Sequence, residues 1–73
     1  MPKWEYLFVR FDYFAGDLCV HSANGQELPE EHKKQPLYEY SNHKGEEGWE
    51  MVNFNFTPAY GYGFMTFKRL KQD

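Results

Sequence analysis

The sequence has no means of forming a disulfide within the chain, because Cys19 is the only cysteine among its 73 residues. That excludes a disulfide-stapled scaffold and fits a reducing compartment better than a secreted one. A basic excess is missing too. The formal charge is −3 and the isoelectric point is near 5.5. Lys33-Lys34 and Lys68-Arg69-Leu70-Lys71 are the only basic clusters, whereas nucleic-acid modules carry a basic stripe or a high isoelectric point. No apolar run approaches the roughly 18–20 residues of a membrane span. The opening "MPKWEYLFVRFDY" has charges and tyrosines inside it, unlike a signal peptide. These absences predict a soluble, cytoplasmic protein that binds neither nucleic acid nor membrane. No repeat or linker interrupts the sequence, so residues 1–73 read as a single α+β domain.

What the sequence does have is aromatic mass. Seven Phe, six Tyr and two Trp make up 21% of the residues. A chain this short buries only about 60% of its unfolded surface, and aromatic side chains build a core from few positions. Tyrosines beyond that need are available for an interface, where their hydroxyls stay wet.

The aromatic and β-branched stretch "KWEYLFVRFDYF" predicts a strand. Trp4, Tyr6 and Phe8 lie on one face and Leu7, Val9 and Phe11 on the other. Apolar groups on both faces predict a central strand covered on both sides near its start. "AGD" is a turn signal. The strand "LCVHSA" then pairs back with Phe14 opposite Asp17, Tyr13 opposite Leu18, Asp12 opposite Cys19, Phe11 opposite Val20 and Arg10 opposite His21. Asn24-Gly25 is a type I′ hairpin signal, followed by "QEL", a brief third strand or an extended arm. "PEEHKKQP" reads as a charged, solvent-exposed loop.

Pro36 sits in the first turn of a helix over "LYEYSNHKGEE", with Gly48 as a left-handed C-terminal stop. Leu37, Tyr40 and the stem of Lys44 are expected to face the sheet. "WEMVNFNF" and "YGFMTFKRL" form the last antiparallel pair. Setting Phe56 opposite Tyr62 places Phe54 against Phe64, Val52 against Thr66 and Glu50 against Lys68; a one-residue slip gives Glu50 Arg69 instead. The expected fold is a small antiparallel sheet of about four strands in β-β-α-β-β order, with one helix packed on one face.

"KWEYLFVR", "YEYSNHKGEEGWEMV" and "FMTFKR" occur in that order, and in them the chain resembles the small, mostly bacterial family called domain of unknown function 4177. Its members open with Trp-Glu-Tyr, carry Leu-Asn-x-Leu-Gly-x-Glu-Gly-Trp-Glu-Leu-Val and finish with Phe-Lys-Arg. Trp4, Glu5, Tyr6, Asn42, Gly45, Glu47, Gly48, Trp49, Glu50, Val52, Phe67, Lys68 and Arg69 fall on pattern positions. Ser41 and Lys44 stand where the pattern has leucines, which makes the helix's docking face poorer and leaves Tyr38 and Tyr40 to compensate. The resemblance implies no activity.

Glu46, Glu47 and Glu50 crowd around Trp49. A two-carboxylate hydrolase needs an acid and a base about 5–10 Å apart across a cleft, and Glu47 and Glu50 satisfy the spacing. A one-helix sheet leaves little room for a pocket of about 300 Å3 or more. Acids in a last helical turn oppose the helix dipole, so Glu46 and Glu47 either pair with Lys44, Lys68 or Arg69 or serve a partner. His21, His32 and His43 are too scattered for zinc, and Cys19 lies about 7 Å along a strand from His21, beyond direct hydrogen-bond reach. No catalytic residue, cofactor or metal is expected. Tyr6, Phe8, Tyr60 and Tyr62 could stack bases, but no basic groove accompanies them. An exposed sheet edge pairs with another chain or needs protection, so the expected role is a non-catalytic protein-interaction or homodimerisation module. Glu46, Glu47, Tyr38 and Tyr60 are the candidate contacts, and Trp4, Tyr6, Gly48, Trp49, Glu50, Lys68 and Arg69 are the structural motif. The alternative is a small ligand-binding or hydrolytic protein using Glu47 and Glu50 beside Trp49.

Overall fold

The computed structural model describes residues 2–14, 16–30, 32–33 and 35–71. Among these residues, five strands and one helix follow in the order β1 (Trp4–Phe14), β2 (Asp17–Ala23), β3 (Gln26–Glu27), α1 (Leu37–Glu46), β4 (Glu50–Thr57) and β5 (Tyr62–Leu70). They form one antiparallel sheet ordered β3-β2-β1-β5-β4 with the helix on one face, an α+β fold. The expected count of about four strands in β-β-α-β-β order falls short by β3. Asn24 and Gly25 turn with φ of 51° and 80°, as a type I′ hairpin requires, and the tight turn folds Gln26 and Glu27 onto Ala23 and Ser22.

β1 is central, as its apolar composition predicted. Its odd-numbered residues face the helix side, where Val9, Phe11, Met65 and Phe67 are 0–1% exposed and Val20 and Tyr40 complete the core. The pairing with β2 follows the expected register from Phe14↔Asp17 to Phe11↔Val20, and Asp12 faces Cys19. It then shifts, because Arg10 pairs with Ser22 instead of His21. A bulge takes up the extra residue and keeps Ala23 on the helix side, opposite Val9.

The last hairpin departs from expectation by one residue. Phe56 faces Gly63, Phe54 faces Met65 and Asn53 faces Thr66. The physical reason is space. A Cβ at position 63 would collide with the Asn55 carbonyl oxygen and stand 2.6 Å from the Phe11 ring. Only glycine lets Phe54 and Phe56 close over Phe11, with ring centroids 5.2 and 5.9 Å away. A bulge between Met51 and Asn53 then restores the expected Glu50↔Lys68 pair.

Tyr40 meets Phe67 edge-on at 6.5 Å, and the Ser41 hydroxyl approaches the Met65 sulfur at 3.7 Å. Ser41 therefore docks where a leucine would be larger, beside Leu37 and Lys44. Pro36 is the N-cap residue, with ψ of 149°, and does not lie within the first turn. Its carbonyl accepts from Tyr40 N at 3.0 Å, while its backbone bridges Cys19. Gln35 O accepts from Val20 N at 3.0 Å. The end of the expected solvent loop is thus tied to the rim of β2.

The other face is not covered as expected near the start of β1. Trp4, Tyr6 and Phe8 are 44%, 52% and 57% exposed, and Phe64 and Leu70 beside them are 48% and 53% exposed. One helix covers one face, and the central strands leave the other uncovered.

Candidate functional site

The helix-to-strand junction ends in a hydrogen-bonded cap. Trp49 N donates to Lys44 O and Gly48 N to Gly45 O, both at 3.0 Å, and Gly48 takes φ of 92°. This is the Schellman arrangement, which satisfies helix carbonyls that have no partner in the next turn. The cap aims Trp49 at the core and delivers Glu50 to β4.

Arg69 holds this junction to the centre of the sheet. Its Nε donates to Glu5 Oε2 at 2.9 Å, one terminal nitrogen donates to Glu47 O at 3.0 Å, and its guanidinium lies 4.2 Å from the centre of the Trp49 ring. A planar fork that pairs and stacks at once is an arginine property that lysine does not share. The Glu47 carboxylate is occupied as well. Lys44 Nζ donates to it at 3.2 Å, and His43 Nε2 stands 3.3 Å away. That hydrogen bond holds the Glu47 carboxyl below its ordinary pKa. Partial desolvation opposes the effect, and the charges of Lys44, His43 and Arg69 add to it. The apparent conflict with the helix dipole is therefore settled inside the chain for Glu47. The Glu46 side chain is exposed and makes no ion pair or hydrogen bond among the described residues.

Trp4, Glu5, Glu47, Gly48, Glu50, Lys68, Arg69 and Leu70 line an open groove of about 760 Å3 at this end of the sheet. It is roomier than the sequence suggested, but its polar groups are largely engaged with one another. Glu50 stands 3.9 Å from Lys68, whose ammonium lies 4.4 Å over the Trp4 ring. A general acid working near neutral pH needs its carboxyl pKa raised, and Glu47 is shifted the other way.

The second grouping is the open face. Trp4, Tyr6 and Phe8 of β1 pair with Leu70, Lys68 and Thr66 of β5, and Arg10 pairs with Phe64. The charges on this face balance, with Arg10 and Lys68 beside Asp12 and Glu50. Arg10 lies 4.8 Å over the Tyr62 ring. Sequence reasoning named Trp4 and Tyr6 but missed Phe64 and Leu70 as their neighbours. The signal was present in the matching alternation of the first and last strands, once these are paired.

Trp4, Gly48, Trp49, Glu50, Lys68 and Arg69 thus converge at one end of the sheet, together with Glu47, and Tyr6 extends from it onto the open face. Tyr38 is exposed on the helix, and Tyr60 lies in the β4–β5 turn stacked on Tyr62 at 6.0 Å, so neither joins the group. No cluster of three or more His, Cys, Asp and Glu with metal-holding geometry exists among the described residues. Cys19 is buried, and its pKa is raised by that burial and then by Asp17 and Asp12, the opposite of nucleophile activation. Among the described residues, no helix is long and apolar enough to cross a membrane. Compared with protein-family models, curated proteins and solved structures, the chain matches none.

Proposed function

We propose that this chain is a small, non-catalytic protein-interaction module that works as a homodimer, in effect an adaptor. A kinship with the domain of unknown function 4177 family belongs to the same proposal. The observation that carries it is the uncovered face of the central strands. Five large apolar side chains, each about half exposed, leave on the order of 500 Å2 of contiguous apolar surface. That is near the upper end of what a soluble monomer shows. The chain as a whole exposes 5295 Å2, about 500 Å2 more than expected for a folded monomer of its mass.

The chemistry supports a protein partner over the alternatives. The face is neutral in sum, so it has no electrostatic preference for a polyanion. Arg10 and Lys68 already lie over Tyr62 and Trp4 and would have to be displaced before bases stacked there. Acid–base chemistry by Glu47 and Glu50 would need one of them held protonated, against the downward shift at Glu47.

Sedimentation equilibrium at high micromolar concentration tests the dimer, and a strict monomer ends that part of the reading. Differential capture with immobilised wild type and Phe8→Glu tests the face. A protein retained by the first and lost by the second is the expected result, and identical captured sets remove the face from the proposal.

A further inference from the structure

The two lateral edges of the sheet are unequal. On one side β3 is two residues long, and beyond it the rim of β2 is occupied by Gln35 and Pro36. On the other side β4 runs for eight residues as the outermost strand. Exposed edges are normally guarded by lysine, proline or brevity, and Glu50–Thr57 has neither residue nor brevity. Its one charge is Glu50, at the start and beside Lys68. Its one irregularity, at Val52, leaves 53–57 in regular pairing with β5.

We infer that β4 is where a second copy of this chain adds, antiparallel, through 53–57 about a two-fold axis at Asn55. The inference rests on the dimer reading above and sets its contact at the β4 edge, which leaves the open face to a further protein partner. Residues directly opposite in an antiparallel pair share a face, and this strip is its own complement. Asn53, Asn55 and Thr57 lie on the open side, across β5 from Thr66, Phe64 and Tyr62, while Phe54 and Phe56 lie on the helix side, across from Met65 and Gly63. Centred on Asn55, Asn53 faces the partner's Thr57, Phe54 faces the partner's Phe56, and the two Asn55 amides face each other. A one-residue slip sets phenylalanine against asparagine. Centring on Phe54 draws the bulged Val52 into the ladder. The strip carries no charge, so two copies meet without repulsion, and a two-fold contact closes on itself. The axis runs normal to the sheet. Both helices then lie on one side of ten continuous strands, and the two open faces join on the other.

Charge exchange and cross-linking test the contact and its register. By sedimentation equilibrium, N53K/T57K is expected to be monomeric because lysine would face lysine, and N53K/T57E is expected to recover the dimer. In the proposed pairing the Asn55 Cα atoms stand about 4.5–5.5 Å apart, within disulfide reach. N55C should therefore oxidise to a covalent dimer, while N53C, whose thiol would face a threonine, should not. A dimer that persists in N53K/T57K but is lost in Phe8→Glu places the contact on the open face; it overturns this inference and leaves the dimer reading standing. A wild type that stays monomeric at high micromolar concentration overturns both.

Discussion

The two faces of this sheet are made by the same strands and differ by one step in the alternation. On the helix side Phe11 and Phe67 are sealed, and on the other side Phe8 and Phe64 stand half in water. Both faces are aromatic, so composition does not distinguish a core from an interface here. What distinguishes them is supply: one ten-residue helix seals the middle of one face, with Phe54 and Tyr13 toward its margins still half exposed, and reaches none of the other. The fold completes a core with Tyr40 and Leu37 and leaves the apolar surface of the other side uncovered.

Substitutions can break or sharpen that contrast. The largest effect is expected at Phe67→Ala, which empties a fully buried position next to Tyr40 and should cost about 3–5 kcal/mol. Urea denaturation followed by circular dichroism would measure it, and for so small a domain the result approaches global unfolding. Gly63→Ala comes next. Its methyl group displaces either Phe11 or the β4 backbone, and overpacking of this kind costs about 1–3 kcal/mol.

Arg69→Met should cost about 1–2 kcal/mol by removing a charge-assisted hydrogen bond to Glu5 and the bond to Glu47 O, visible in the same denaturation curves. Phe8→Ser is expected to change protomer stability by less than about 0.5 kcal/mol. A loss as large as that of Phe67→Ala, with a Tm that rises with protein concentration, would mean that the open face is itself a core formed on assembly.

The smallest effect is expected at Glu47. Because its folded pKa is depressed, its contribution is present above the ordinary glutamate pKa of about 4.3 and is lost as pH falls through the folded value. Glu47→Gln should flatten the acid side of the stability profile slightly, because the carboxylate is partly solvated and screened.

Much of the strand layout was legible from alternation and turn chemistry. Phe14 to Phe11 met their expected β2 partners, Asn24-Gly25 turned as expected, and Gly48 stopped the helix. What escaped was steric and long-range. The register of β4 depends on the absence of a side chain at Gly63 against a ring on β1, a three-strand coincidence that no local pattern contains. The two bulges follow the same logic, since each adjusts the count so that one face stays apolar. At the junction, the motif residues Trp49, Glu50, Lys68 and Arg69 could be named from the sequence. Their arrangement needed Glu5, which is 64 positions away from Arg69 in the chain. For Glu47 the sequence left a choice between Lys44, Lys68 or Arg69 and a partner; Lys44, one helical turn back, holds its carboxylate and Arg69 takes its carbonyl.

β5 is the last strand in sequence, yet it lies between β1 and β4 and contributes Met65 and Phe67 to the core. Until β5 is made, nothing joins the β1–β2 hairpin to β4, and the helix side lacks Met65 and Phe67. β1 then presents a bare flank until the final segment arrives, and such a flank invites mispairing. Folding of this sheet therefore waits on residues 62–70, and removal of "YGFMTFKRL" should leave a protein recognised by chaperones rather than a smaller stable fold.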